Sequence, residues 1–127
     1  MSVKVVDSSA IACVLLEEPS ADLIQARIDG HILTAPTLLQ FEFANVCVTN
    51  ARKFPQNAAI YREALEAFYR LAIPLRDIDI EDVFDLASRH KLSAYDASYL
   101  WLALELDAEL VTLDARLERA YAPLARS

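Results

Sequence analysis

The order of β-rich and helix-forming segments predicts an α/β fold in three α/β/α layers, with a central, mainly parallel sheet and helices on both faces. Three observations carry that expectation. VKVV at 3–6 stops at Asp7-Ser-Ser, HILTAP at 31–36 is closed by Pro36, and AELVTLD at 108–114 ends at Asp114. Each of these runs leads directly into residues that start a helix. At 127 residues the chain is expected to be one domain, 1–127, and such a length buries about two-thirds of the unfolded surface.

The elements follow in order. After VKVV, SSAIACVLLEE reads as a short helix ended before Pro19, and Ser20 can cap a second helix, ADLIQARID, with Gly30 at its exit. Past the HILTAP strand, Thr37 opens a long helix through Phe54, which Pro55 breaks. QNAAIYREALEAFYRLA resumes, and Ile60, Ala64, Leu65, Phe68 and Leu71 are spaced for one buried face. IPLRDI reads as extended, and IEDVFDLASRHK as a helix with Val83, Phe84, Leu86 and Ala87 on one side. A helix from Ser93 to about Asp107 precedes the AELVTLD strand, and ARLERAYAPLA closes the chain as a helix up to Pro123. Only Met1 to Ser2 and the tail Ala125 to Ser127 are expected to be loose.

Composition excludes several classes. The longest apolar run, Ala10 to Leu16, is far short of the roughly 20 residues that span a bilayer, and no basic leader precedes it, so a cytoplasmic protein without a membrane partner is expected. Cys13 and Cys47 lie in apolar runs without C-x-x-C spacing and read as reduced core thiols. Two isolated histidines, His31 and His90, do not make a zinc site, and no G-x-S-x-G elbow supports a Ser/His/Asp triad. A single glycine, Gly30, cannot supply a dinucleotide or P-loop phosphate cradle. The net charge of −7 argues at first against a nucleic-acid partner, unless the acids are concentrated in a site.

Their positions suggest that they are. Asp7 and Asp114 end the first and last strands, Glu42 lies in the helix after the second, and Asp96 heads the apolar run SAYDASYLWLAL. In a parallel sheet all four can converge beyond the carboxyl ends of the strands, where α/β folds place their sites. Each acid also has a local explanation: Asp7 and Asp114 as helix N-caps, Asp96 in a capping box with Ser93, Glu42 as a surface residue between two buried phenylalanines. Capping alone does not explain the setting of Asp96, because Ser98 is the only polar break from Ala97 to Leu104 and no basic residue lies within a turn. Two carboxylates about 5 Å apart repel by roughly 3 kcal/mol at an effective dielectric near 20. A shared divalent cation relieves that repulsion, and an all-oxygen donor set selects Mg²⁺ or Mn²⁺.

VVDSSA, FEFANV, SAYDASYLWLA and LVTLDARL, in this order and at these spacings, resemble the PIN-domain ribonucleases, most closely the VapC-like toxins of type II toxin–antitoxin systems. The likeness runs over essentially the whole chain. It implies a PIN-like fold, a homodimer, an RNA substrate and a VapB-like antitoxin that docks across the amino-terminal helices. It also implies that Asp7, Glu42, Asp96 and Asp114 hold one or two Mg²⁺ or Mn²⁺ ions, with a metal-activated water attacking the RNA phosphodiester. Asn45, Thr112 and Ser9 match polar positions that support the acids. Arg116 and Leu117 stand where some relatives carry a further acid, which leaves the second metal position open. Arg89, Lys91, Arg116 and Arg119 lie near the acids in sequence and are candidate RNA contacts, as against ordinary solvated charge.

Two other classes compete with this reading. One is a catalytically idle PIN-like binding module, disfavoured by the presence of all four acids. The other is a different Mg²⁺-dependent phosphoryl-transfer enzyme. Phosphatases of the haloacid dehalogenase type need a second Asp where this chain has Ser9, and a receiver-type acceptor needs a strand-end lysine that is not evident.

Overall fold

The computed structural model describes residues 2–125; Met1, Arg126 and Ser127, expected to be loose, lie outside that range. The described ends are tied down. Ser2 hydrogen-bonds His31 Nδ1 through its hydroxyl at 2.7 Å, and the Ala125 amide donates to the Tyr121 carbonyl at 3.0 Å.

The strands are β1 (Val3–Val6), β2 (Ile32–Pro36), β3 (Leu75–Arg76) and β4 (Glu109–Val111), and the helices are α1 (Ser8–Leu15), α2 (Ala21–Ile28), α3 (Leu38–Lys53), α4 (Ala58–Leu71), α5 (Ile80–His90), α6 (Ala94–Leu106) and α7 (Ala115–Tyr121). A 3₁₀ turn at Pro55–Asn57 links α3 to α4, and another follows α7 at Ala122–Leu124. The strands pair in the order β3-β2-β1-β4, all parallel, and the helices flank the sheet in an α/β/α arrangement. Helix α6 packs against β1, β2 and β4 and also against α5. On the other side, α1 touches α2, α3 and α4, while α3 lies along α4 and meets β2.

The middle of the sheet is apolar because parallel strands are covered on both faces. Val5, Val6, Ala35, Leu110 and Val111 are buried there, with Leu39, Phe43, Tyr99, Leu100 and Leu117 packed around them. Lys4 is a buried cation in β1 that is fully matched: its ammonium donates to the Arg27 carbonyl at 2.6 Å and pairs with Glu109 at 3.3 Å. Burial opposes ionisation of Glu109, yet the hydrogen bonds from Arg27 and Lys4 outweigh it and hold that carboxyl below its usual range.

Several sequence expectations are corrected. The last strand stops at Val111, three residues short of Asp114, and it lies at a sheet edge. Helix α1 ends at Leu15, since the chain folds back at Glu17 with φ of 53° and the Glu18 amide bonds the Cys13 carbonyl at 2.9 Å. Ile60, Leu71 and Phe84 are exposed. The stripe of α4 that meets α3 is Tyr61, Ala64, Leu65 and Phe68, fixed by the Phe68 ring lying 5.2 Å from that of Phe43. Cys13 and Cys47 are buried free thiols, as their apolar setting predicts. Among the described residues, no helix is long and apolar enough to cross a membrane.

The two phenylalanines flanking Glu42 differ sharply: Phe43 is 0% exposed and Phe41 is 69% exposed. Phe43→Ala is therefore expected to cost about 3–5 kcal/mol in urea unfolding, whereas Phe41→Ala should stay within about 0.5 kcal/mol. Equal costs would mean that α3 is rotated from the orientation described.

Candidate active site

Asp7 is the first residue beyond β1 and caps α1, so one side chain serves both the helix and the site. It is only 5% exposed. Its Oδ1 accepts the Ser9 hydroxyl at 2.7 Å and the Ala10 amide at 3.0 Å, and its Oδ2 accepts the Thr112 hydroxyl at 2.5 Å. The contact with Thr112 follows from strand register, because pairing Val6 with Val111 carries Asp7 alongside Thr112.

Ser9 and Thr112 also bind the loop that leads to the next acid. The Leu113 amide donates to Ser9 Oγ at 2.9 Å and the Asp114 amide to Thr112 Oγ1 at 3.0 Å. Asp114 then caps α7, accepting the Leu117 amide at 3.0 Å. These backbone groups are satisfied by side chains, and that is why β4 ends before Asp114.

Glu42, in the second turn of α3, is half-buried and accepts the Tyr99 hydroxyl on Oε1 at 2.5 Å. Tyr99 is a partner of the candidate site that the sequence reading missed. The available signal was its position three residues after Asp96 in α6, one turn along the same face. Asp96 lies in the first turn of α6, where its amide donates to the Ser93 hydroxyl at 3.0 Å. Its carboxylate accepts no protein hydrogen bond among the described residues, so the cap occupies the backbone of Asp96 and leaves its side chain free.

Electrostatics join the four acids. Burial raises the Asp7 carboxyl and the Asp114 charge adds to it, against the hydrogen bonds from Thr112, Ser9 and Ala10. Burial also raises Glu42, helped by the charges of Asp96 and Asp7 and opposed by the Tyr99 hydroxyl. Asp96 is raised by burial and then by Asp114 and Asp7, with Arg116 the one opposing cation. Burial and the bond to Glu42 push the Tyr99 phenol far upward, so it remains a hydrogen-bond donor.

The remaining predicted residues divide. Arg89, Lys91, Arg116 and Arg119 are all exposed and make no ion pair among the described residues, and of the four only Arg116 is close enough to act on Asp96. Asn45 is exposed on the same side of α3 as Glu42 and shares a cavity with it, but makes no hydrogen bond to the acids among the described residues.

The donor chemistry suits a hard divalent cation, since every candidate ligand is a carboxylate oxygen. As the side chains stand, no three acidic, histidine or cysteine groups among the described residues are gathered tightly enough to hold one ion. Of the roughly four lone-pair positions of a carboxylate, Asp7 has three engaged; Glu42 and Asp114 each keep an oxygen without a protein donor.

The PIN domain family profile matches residues 4–123 of this fold. The chain belongs to the PIN domain family. It is 36% identical over 115 residues to Ribonuclease VapC9 of Mycobacterium tuberculosis, covering 89% of this chain and 87% of that protein. Ribonuclease VapC3 of Pyrobaculum aerophilum is 31% identical over 125 residues, covering 94% and 95%. The crystal structure of PAE2754 from Pyrobaculum aerophilum shares the fold, with a TM-score of 0.77 over 95% of this chain and 86% of that one at 23% identity.

Raised carboxyl values in this PIN domain mean that the folded state takes up protons more readily than the unfolded chain. The stability contribution of Asp7, Glu42 and Asp96 is thus fully present below the ordinary carboxylate range and is lost as pH rises through their raised values. Asp7→Asn keeps the helix cap and removes one charge. In chelator, its stability relative to the parent is expected to increase as pH is raised from about 4 to about 7, measured by urea unfolding at each pH. A constant difference would show that the Asp7 carboxyl is not raised in the native state.

Proposed function

We propose that this protein is a Mg²⁺- or Mn²⁺-dependent endoribonuclease, the toxin of a toxin–antitoxin pair, working in the cytoplasm as one domain (1–127) within a homodimer and held in check by a VapB-like antitoxin. The observation that carries the reading is the set of four carboxylates from four separate segments beyond the carboxyl ends of one parallel sheet, with Asp7 oriented by Ser9 and Thr112, Glu42 by Tyr99, and each acid within electrostatic reach of at least one other. The names of the VapC9 and VapC3 relatives support ribonuclease activity and the VapC type.

Asp7, Glu42, Asp96 and Asp114 are the groups that would hold the ion or ions. A bound divalent cation lowers the pKa of a coordinated water and offsets charge on the phosphate oxygens. Ser9, Thr112 and the Ala10 amide fix the carboxylate of Asp7 in one orientation, so its remaining lone pair has a defined direction. Tyr99 does the same for Glu42 and leaves the second oxygen of that carboxylate available. Arg116 places positive charge beside Asp96, where an RNA phosphate would approach. Because the acids repel a polyanion, phosphate contacts come from local cations, with Arg116 the best placed and Arg89, Lys91 and Arg119 at the exposed periphery.

Purified protein is expected to cut RNA with Mg²⁺ or Mn²⁺ and not in chelator. Asp7→Asn and Asp96→Asn should lower the cleavage rate by at least the roughly 100-fold that outer-shell changes at metal sites can cost, with the circular dichroism of the parent retained. At an ion concentration about 100 times its Kd, the native state gains about 2.7 kcal/mol, seen as a higher Tm that both variants lose. Cleavage that persists in chelator, or variants as active as the parent, would overturn the assignment.

A further inference from the structure

Beside the acids lies a cavity of about 290 Å³ lined by Leu38, Phe41, Glu42, Asn45 and Tyr95. Its two aromatic rings come from different elements. Phe41 immediately precedes Glu42 on α3, and Tyr95 immediately precedes Asp96 on α6. Both are largely in solvent, at 69% and 66% exposure, whereas Phe43, Phe68 and Tyr99 are buried. Neither ring pairs with another aromatic among the described residues.

We infer that this cavity binds an unpaired nucleobase of the substrate strand next to the phosphate being cut, stacked against Phe41 and Tyr95 with its edge toward the Asn45 amide. The inference rests on the nuclease reading above and deepens it. Three features favour a base over an apolar side chain of a protein partner. The cavity shares Glu42 with the acid cluster, so a strand whose phosphate sits at the acids brings its neighbouring base here. The two aromatic faces suit any base, because every base has a flat π-surface. Asn45 adds an amide NH₂ donor group and a carbonyl acceptor beside them, complementary to the donors and acceptors that a base edge presents and an aliphatic side chain does not.

The test uses the full chain in Ca²⁺-containing buffer with two fluorescent probes: a short single-stranded RNA of mixed sequence and the same backbone with abasic positions. Anisotropy titrations should show the parent binding the base-bearing strand on the order of tenfold tighter than the abasic one. Phe41→Ala and Tyr95→Ala should reduce or abolish that preference while leaving abasic binding unchanged, and Phe41→Tyr and Tyr95→Phe should retain it. The inference is overturned if the Ala variants keep the parent's preference, or if they weaken both probes equally. Unchanged RNA binding with weaker self-association in sedimentation would make the patch an interface between copies and would also overturn it. A parent that cuts RNA in Mg²⁺ but shows no base preference sinks this inference alone; a parent that neither binds nor cuts RNA sinks the nuclease reading with it.

Discussion

The structure is organised around a negative charge that has been taken out of water. Asp7 is buried at the carboxyl end of β1, and no lysine or arginine is among the groups acting on it. A buried carboxylate is tolerated only when its lone pairs are engaged. Here they are met by Ser9, Ala10 and Thr112, and every one of those partners depends on the fold. Ser9 and Ala10 are in place because α1 starts directly after β1. Thr112 is in place because β4 runs parallel to β1 in the register that pairs Val6 with Val111. A slip of one residue would turn Thr112 to the opposite face of the sheet and leave Oδ2 of Asp7 without its donor. Strand register and site geometry are therefore one constraint.

The other acids depend on which faces of their helices are buried. Helix α6 is apolar almost all round and lies between the sheet and α5, with Ala97, Tyr99, Leu100, Leu102 and Ala103 buried. That burial fixes both the position of Asp96 at its exposed start and the direction of Tyr99. Helix α3 has one buried and one open side, and Glu42 sits at the boundary between Phe43 and Phe41. Tyr99 then crosses from α6 to Glu42, so two helices that approach from different layers share a hydrogen bond at the site.

Much of this was legible in the sequence. Acids at strand ends and helix starts are conspicuous when a parallel sheet is expected, and Asp7, Glu42, Asp96 and Asp114 do come within electrostatic reach of one another. Tyr99 is harder to read, because a tyrosine inside ASYLWLAL fits the core and its spacing from Asp96 does not show that its hydroxyl reaches Glu42 of α3. The end of β4 was misread for a related reason. Thr112-Leu113-Asp114 has β-forming character, but the amides of Leu113 and Asp114 are taken by Ser9 and Thr112 side chains instead of a neighbouring strand. Ile60, Leu71 and Phe84 fit a helical stripe by spacing, yet spacing does not specify the width of the stripe that a neighbouring helix covers. The helix exits at Ala72, Lys91 and Asp107 adopt positive φ without glycine, so the glycine count could not mark them.

Within one strand, β1 carries two opposite treatments of buried charge. Lys4, three residues before Asp7 and so roughly 10 Å away along the strand, is neutralised by Glu109, and Glu109 is shared with Arg27 at 2.7 Å. The chain thus has basic residues to spare for a structural ion pair, twelve lysines and arginines in all. At the other end of the same strand Asp7 faces only hydroxyls, an amide and further acids. Hydroxyl donors hold a carboxylate in place without cancelling its charge, so they orient Asp7 while the repulsion from Asp114, Asp96 and Glu42 persists. An arginine in the position of Thr112 would relieve that repulsion but would also fill the edge and compete with any incoming cation. The arrangement that is poorest for the stability of the isolated chain is the one that leaves carboxylate oxygens of Glu42, Asp96 and Asp114 without protein donors among the described residues, and hard oxygen donors of that kind are what a divalent cation prefers.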